Sequence, residues 1–412
     1  MVSEQSYFQD VKTIAIVGDG RWAKVYISVL CSLKLPYQLI IVSKSNKFQE
    51  LQILCESTLP LIFVSSIDEL LNNHIVNMAI VVNSIRAHFE SAQKLIDKGI
   101  SVLIEKPISL EENQVDLLFN KAVKKDICIV PALTFLQCSY IQNFSQILSD
   151  CNEQPEKITI EWADPLGEVR YGNLKKYDFS VSIAQDVMPH IWSILSEVLS
   201  CIDINFYVES CSIQRGGQHV KFASTIKGIS CDISLERNSN LRRRFLSAEF
   251  KKSPNIELDF TIEPGTLKFK NKILSADQRW ETKTIHPIQR QIEFFISQVE
   301  NQENRVNMKP TSSGSISALK KSDSLLKKTQ KTWLSSIYTP LMSDDISYAI
   351  SELATSEFYN VPLDNLQDRQ VLKSHILSFI HYINEHKKPS DDWNTTFTRL
   401  IDSYIHSVLS NE

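Results

Sequence analysis

The sequence predicts an α/β domain on a doubly wound parallel sheet over residues 1–135. An α+β domain with a large, mostly antiparallel sheet follows over 136–335, and a small helical C-terminal extension over 336–412. Three observations predict this. Short apolar runs alternate with helical patterns up to about residue 135, the pattern of a parallel sheet. From Asn205 to Lys272 polar and apolar residues alternate with period two, the pattern of antiparallel strands with one buried face. Beyond residue 335 the apolar spacing becomes helical again, punctuated by Pro362 and Pro389.

The first element is carried by Thr13–Tyr26, TIAIVGDGRWAKVY. Ile14–Val17 reads as a buried strand, Gly18-Asp19-Gly20 as a tight turn, and Trp22–Leu35 as a helix. Glycines at 18 and 20 let the turn close and let backbone approach a phosphate, while Ala23 lets the helix pack near the strand. The helix start, Arg21 and Trp22, presents N–H groups and positive dipole to an anion. Gln38–Val42 is the second strand, whose end faces the adenosine ribose in dinucleotide folds. It ends in Ser43-Lys44-Ser45 with no carboxylate, so hydroxyls and an ammonium favour the 2′-phosphate of NADP over NAD.

Leu61–Val64 is a short strand and Ser66–Leu71 a capped helical turn. Met78–Val82 is a strand, followed by a helix over Ala87–Lys98 that Gly99 ends. Ser101–Ile104 is the next strand and runs into Glu105-Lys106-Pro107. Lys106 thus stands at the C-terminal edge of the sheet, where ligands of open α/β sheets bind. Pro107 keeps the residues before it out of a helix. Ile127–Pro131 is the sixth strand.

In the second domain Ile158–Trp162 reads as a strand, followed by a polar, aromatic-rich stretch, Asp164–Phe179. In QDVMPHIWSIL, Gln185–Leu195, Asp186 and His190 are four apart and share a face if the segment is helical. Pro189 sets the expectation that this helix begins near Pro189 or bends there. The alternating runs from Asn205 to Lys272 read as an antiparallel meander. Ile288–Val299 is an amphipathic helix, and Ser315–Trp333 a closing helix with lysines on its polar side.

Composition excludes several classes. A net charge of -4 gives no general attraction to nucleic acid or membrane. The longest like-charge run, Arg242-Arg243-Arg244, reads as a solvated strand. No apolar run reaches the roughly 18–20 residues that span a bilayer, and the N-terminal residues lack an export signal. Eight cysteines without a CxxC pair argue against a zinc site and for reduced thiols in a cytoplasmic protein.

GDGRWAKVY, together with NSIRAHFESAQKLIDKGISVLIEKPIS at 83–109, resembles the Gfo/Idh/MocA family. This is the family of glucose–fructose oxidoreductase, inositol dehydrogenase and rhizopine catabolism. The likeness covers roughly residues 11–335. In that family a strand-end loop is followed by a His, a helix, a Gly, a strand and Glu-Lys-Pro. Here Asn83, His88, Gly99 and Glu105-Lys106-Pro107 stand in that order, with Ser84 and Ile85 where Pro and Asn are usual. The family's Asp-x-x-x-His matches Asp186 and His190, with Pro189 in place of the usual Gly. The resemblance implies a Rossmann domain binding NADP(H) through the turn, Ser43–Ser45, Asn83, His88, Glu105 and Lys106.

It also implies a catalytic set of Lys106, His190 and Asp186. Hydride transfer at a carbon bearing oxygen or nitrogen needs a proton moved and developing charge stabilised. An imidazole titrating near 6.5 suits His190 as general acid or base. Lys106 is its electrostatic partner, the assignment between the two being open. Asp186 orients His190 or binds a substrate hydroxyl, and Tyr171 or Tyr177 are further candidates for the acid. The small-molecule substrate implied is a sugar, sugar nucleotide or polyol. The same loop resembles the thiazolinyl imine reductases of siderophore biosynthesis, which implies a carrier-bound intermediate and a carrier protein docking on the helical extension. A non-catalytic dinucleotide sensor or scaffold is the third reading. The extension also suits a homo-oligomer contact.

Overall fold

The structure, a computed structural model, describes residues 12–44, 48–54, 61–109, 112–165, 168–170, 173–174, 183–200, 207–214, 219–275 and 287–300. Ser45, Tyr171, Tyr177, the closing helix and the extension over 336–412 lie outside the described residues. The chain forms two compact units.

The first unit holds a six-stranded parallel sheet. Its strands are β1 (Lys12–Val17), β2 (Tyr37–Val42), β3 (Ile62–Val64), β4 (Met78–Val81), β5 (Ser101–Ile104) and β6 (Ile129–Pro131), in the spatial order β3-β2-β1-β4-β5-β6. The winding direction reverses between β1 and β4, the switch point at which open sheets bind ligands. The helices between strands are α1 (Arg21–Ser32), α2 (Phe48–Gln52), α3 (Ile67–Asn73), α4 (Ile85–Asp97) and α5 (Glu112–Lys124). Alternate residues of the strands feed two cores, because a parallel sheet is covered on both faces. Ile14, Ile16, Leu39, Ile41, Ile80 and Leu103 pack against α1. Ala15, Val17, Ile40, Val81, Val102 and Ile104 pack against the other helices.

A short 3₁₀ turn, Thr134–Gln137, and α6 (Ser139–Asp150) follow β6. The amphipathic helix expected at Ile288–Val299 is α8 (Pro287–Glu300). Ile288, Ile292 and Phe295 bury its apolar face in the α1 side of the first core. Arg290 fixes it further by donating to the Gln137 carbonyl at 3.1 Å and to Ser139 Oγ at 2.8 Å.

The second unit holds an eight-stranded sheet. Its strands are β7 (Lys157–Pro165), β10 (Tyr207–Gln214), β11 (His219–Ile226), β12 (Ile229–Ser239), β13 (Arg243–Glu249), β14 (Ile256–Asp259), β15 (Thr266–Phe269) and β16 (Lys272–Ser275). A separate ribbon joins β8 (Val169–Arg170) and β9 (Asn173–Leu174). The order β10-β11-β12-β7-β13-β14-β15-β16 corrects the expected simple meander. β7 inserts between β12 and β13, parallel to the first and antiparallel to the second. Period-two alternation shows which face of a strand is buried but not which strand lies beside it. Ile158, Ile160, Val220, Phe222, Ile233, Leu235, Leu246 and Leu258 form the buried face. The other face carries ion pairs such as Lys157–Asp232 and Arg243–Glu161.

Three further expectations are corrected. α7 runs over Ile183–Val198 with Pro189 inside it, so the helix does not begin at Pro189 and Asp186 is helical. Pro189 removes one backbone hydrogen bond, a cost of about 3 kcal/mol. Val187, Met188, Ile191, Trp192, Ile194 and Leu195 are all buried and outweigh it, each contributing roughly 1.5–3 kcal/mol. The arginine run is not a solvated strand throughout: Arg244 is 1% exposed, and Arg242 donates to Glu168. Cys31 is disulfide-bonded, whereas Cys128, Cys138, Cys151 and Cys231 form no disulfide. Among the described residues no helix is long and apolar enough to cross a membrane.

Candidate active site

The glycine turn divides its two glycines between two tasks. Gly18 has φ +127°, and its N–H donates to the Val42 carbonyl at 3.0 Å. A Cβ there would stand 2.8 Å from the Asn83 backbone nitrogen. Gly18 is therefore wedged between the ends of β2 and β4, where no other residue fits. Gly20 caps α1 at φ −75°, a conformation open to any residue. A Cβ on Gly20 would meet nothing within 4 Å. Its lack of a side chain leaves space rather than relieving a clash.

Among the described residues no side chain caps α1, and its first turn carries no acidic residue. The positive end of the helix dipole is thus left for an anion. Arg21 lies over the Trp22 ring at 5.2 Å. Ala23 is fully buried in the sheet core, as close helix–strand packing needs. At the end of β2, Lys44 is exposed and Ser43 Oγ donates to the Asp19 carboxylate. The expected carboxylate-free strand end thus receives a carboxylate from the turn.

Asn83, just past β4, donates from Nδ2 to Ser91 Oγ at 2.8 Å. Its Oδ1 is buried with no hydrogen-bond partner among the described residues. His88 on α4 is buried, with Nδ1 2.8 Å from the Pro107 carbonyl and Nε2 3.1 Å from the Asn83 carbonyl. Burial pushes its imidazole below the ordinary range, and the two carbonyls oppose that. His88 thus braces the Asn83 loop against the Glu105-Lys106-Pro107 turn.

Beneath that turn runs a buried polar chain. Thr134 Oγ1 donates to Gln291 Oε1 at 2.9 Å, Gln291 Nε2 donates to the Tyr26 hydroxyl at 3.1 Å, and that hydroxyl donates to Glu105 Oε1 at 3.1 Å. The other carboxylate oxygen of Glu105 accepts from the Lys106 backbone N–H at 3.1 Å. Burial raises the Tyr26 phenol well above its ordinary value, and the charge and hydrogen bond of Glu105 raise it further. Tyr26 is consequently a fixed donor, and Glu105 holds the backbone of Lys106. The Lys106 side chain is half-buried.

On α7, the His190 ring meets Phe135 edge-on, centroids 5.0 Å apart at 73°. Asp186 Oδ2 accepts from Arg237 Nη2 at 3.1 Å, and Arg237 itself is 1% exposed. Nearby on the same sheet face Arg244 lies over Trp162 at 3.7 Å and donates to Asp164, which is 2% exposed. Among the described residues no group of three or more His, Cys, Asp or Glu could hold a metal.

Three features of the first unit fit a dinucleotide: the space over Gly20, the uncapped α1 and the unpartnered Asn83 Oδ1. Residues 12–132 match a family model for oxidoreductases with an NAD-binding Rossmann fold. The matched model is that of the Gfo/Idh/MocA family. The chain is also 35% identical over 69 residues to the uncharacterized oxidoreductase YhhX of Escherichia coli, covering 17% of this chain and 20% of that protein.

Solved structures show the same two-domain fold. UDP-N-acetylglucosamine 3-dehydrogenase GnnA from Acidithiobacillus ferrooxidans is 14% identical with a TM-score of 0.56, over 77% of this chain and 96% of that one. The 3-ketoreductase KijD10 from Actinomadura kijaniata, solved with NADP and TDP-benzene, is 13% identical with a TM-score of 0.60, over 75% and 95%.

Within the matched residues, contacts bring Gly18, Asn83, His88, Glu105 and Lys106 together at the C-terminal edge of the sheet. Asp186 and His190 lie outside the matched residues. Tyr26, Gln291 and Arg237 escaped the sequence reading. Two left a signal, because each is polar at an apolar position. Gln291 sits in the series Ile288, Ile292, Phe295 on α8, and Arg237 in the series Cys231, Ile233, Leu235 on β12. Buried polar residues at such positions need partners.

Proposed function

We propose that the chain is an NADP(H)-dependent oxidoreductase acting at a carbonyl or alcohol carbon of a sugar-like or polyol substrate. The observation that carries this reading is the Glu105-Lys106-Pro107 turn, held from below by Tyr26 and from the side by His88. A lysine whose backbone is fixed at the C-terminal edge of a parallel sheet is preorganised to stabilise charge developing there. Gly20, the α1 N-terminus and Lys44 would hold the dinucleotide, Lys44 pairing with its 2′-phosphate, and the cofactor would supply or accept the hydride. Lys106 stabilises the developing alkoxide, and His190 exchanges the proton. Asp186, its carboxylate held by Arg237, serves as acceptor for a substrate hydroxyl. The names of GnnA, a UDP-N-acetylglucosamine 3-dehydrogenase, and of KijD10, a 3-ketoreductase, support a carbonyl or alcohol carbon of a sugar-like substrate over a carrier-bound imine.

The test is NADPH oxidation against a panel of keto-sugars and cyclic imines. Turnover with a keto-sugar that falls by roughly 10²–10⁴ in Lys106→Ala and in His190→Ala, with cofactor affinity little changed, is the expected result. Turnover confined to imines would replace the substrate reading. Tight cofactor binding with no turnover would leave a sensor or scaffold.

A further inference from the structure

Asp19, in the middle of the glycine turn, has no task in the reading above. Ser43 Oγ donates its hydrogen bond to the Asp19 carboxylate, so the turn after β1 reaches the end of β2. That strand end is where the 2′ position of the adenosine ribose sits in open dinucleotide-binding sheets. A hydroxyl that already donates to a carboxylate offers other partners only lone pairs. A 2′-phosphate, itself made of acceptor oxygens, gains nothing from Ser43 in this state and meets the Asp19 charge as well. A 2′-hydroxyl can donate to either oxygen. Exposed Lys44 acts in the opposite sense, as a point charge drawing phosphate.

We infer that Asp19 sets the cofactor choice. It supplies from the glycine turn the ribose-facing carboxylate that the second strand lacks. NADP(H) is therefore bound less tightly than Lys44 alone would allow, and NAD(H), through its 2′-hydroxyl, is admitted as a second cofactor beside it. This rests on the dinucleotide-binding reading proposed above.

The test is titration of the full chain with NADH and NADPH, followed by nicotinamide fluorescence and by thermal shift. Wild type, Asp19→Asn and Asp19→Ser are compared, with melting temperatures checking that each variant folds. Asp19→Asn keeps the shape and removes the charge. The expected result is a shift of the NADPH-to-NADH affinity ratio toward NADPH by about tenfold or more in both variants, the size of one charge-assisted contact. Lys44→Ala should move the ratio the other way. A ratio within twofold of wild type in both Asp19 variants, or affinities that fall together, overturns the assignment while leaving the oxidoreductase reading intact. A wild-type chain that binds neither dinucleotide overturns both.

Discussion

Replacing Tyr26 by Phe removes one oxygen from the middle of a buried polar chain and leaves the ring volume in place. Two groups are affected. Glu105 Oε1 loses a donor at 3.1 Å, and Gln291 Nε2 loses its acceptor at 3.1 Å. A hydrogen bond to a charged group contributes about 1.5–3 kcal/mol, and a stranded buried donor costs about 1–3 kcal/mol. Partial relaxation reduces the sum, so Tyr26→Phe should destabilise the first unit by roughly 3 kcal/mol. Amide hydrogen exchange of β1 and β5 reports the opening free energy of this unit directly, and should accelerate roughly a hundredfold. Adding Gln291→Leu removes the stranded donor, so the double variant should cost less than the two singles together. A change under about 0.5 kcal/mol in Tyr26→Phe, the size of a neutral surface substitution, or strict additivity in the double variant, would refute the coupled chain.

Gly18→Ala and Gly20→Ala should separate cleanly. The first meets the Asn83 backbone and should lower the melting temperature. The second meets nothing, so it should melt like wild type yet weaken dinucleotide binding in the same titration. Arg244→Met leaves Asp164 buried without its partner and should cost about 3–5 kcal/mol in urea unfolding, much of it recovered by adding Asp164→Leu. Burial pushes the Cys231 thiol up to about 12. Its folded value lies above its unfolded one, so its contribution is complete below the unfolded thiol range near 8.5 and is lost as pH rises toward 12. Native protein should resist iodoacetamide at Cys231 at pH 8, and Cys231→Ala should flatten the loss of stability between pH 9 and 11. Rapid native labelling would show the site to be open.

Local chemistry was the legible part of the molecule. The turn Gly18-Asp19-Gly20 and the strand ending in Glu105-Lys106-Pro107 announce themselves, because phosphate approach and a fixed turn each demand particular residues at fixed spacing. Strand boundaries in the first sheet were close to those observed, since runs such as SVLI and QLIIV are buried on both faces. Pairings between distant residues were not legible. Asp19 with Ser43, Asp186 with Arg237, and Tyr26 with Gln291 each join groups that only tertiary structure brings near. Pro189 misled for a related reason: its local cost is real, and the burial that outweighs it belongs to the whole fold.

The central place of β7 also bears on how the second sheet is made. Asp164 on β7 bonds Ser239 across 75 residues of chain and Arg244 across 80. At a synthesis rate of about 5–20 residues per second, β7 waits roughly 4–15 s before its neighbours leave the ribosome. During that interval Ile158, Ile160 and Trp162 have no partner strand and both edges of β7 are open. Ribosome-bound chains halted before β12 should therefore engage holdase chaperones far more strongly than chains halted after β13. Once released, the sheet closes around a strand made early rather than growing hairpin by hairpin, which places it among slow-folding topologies.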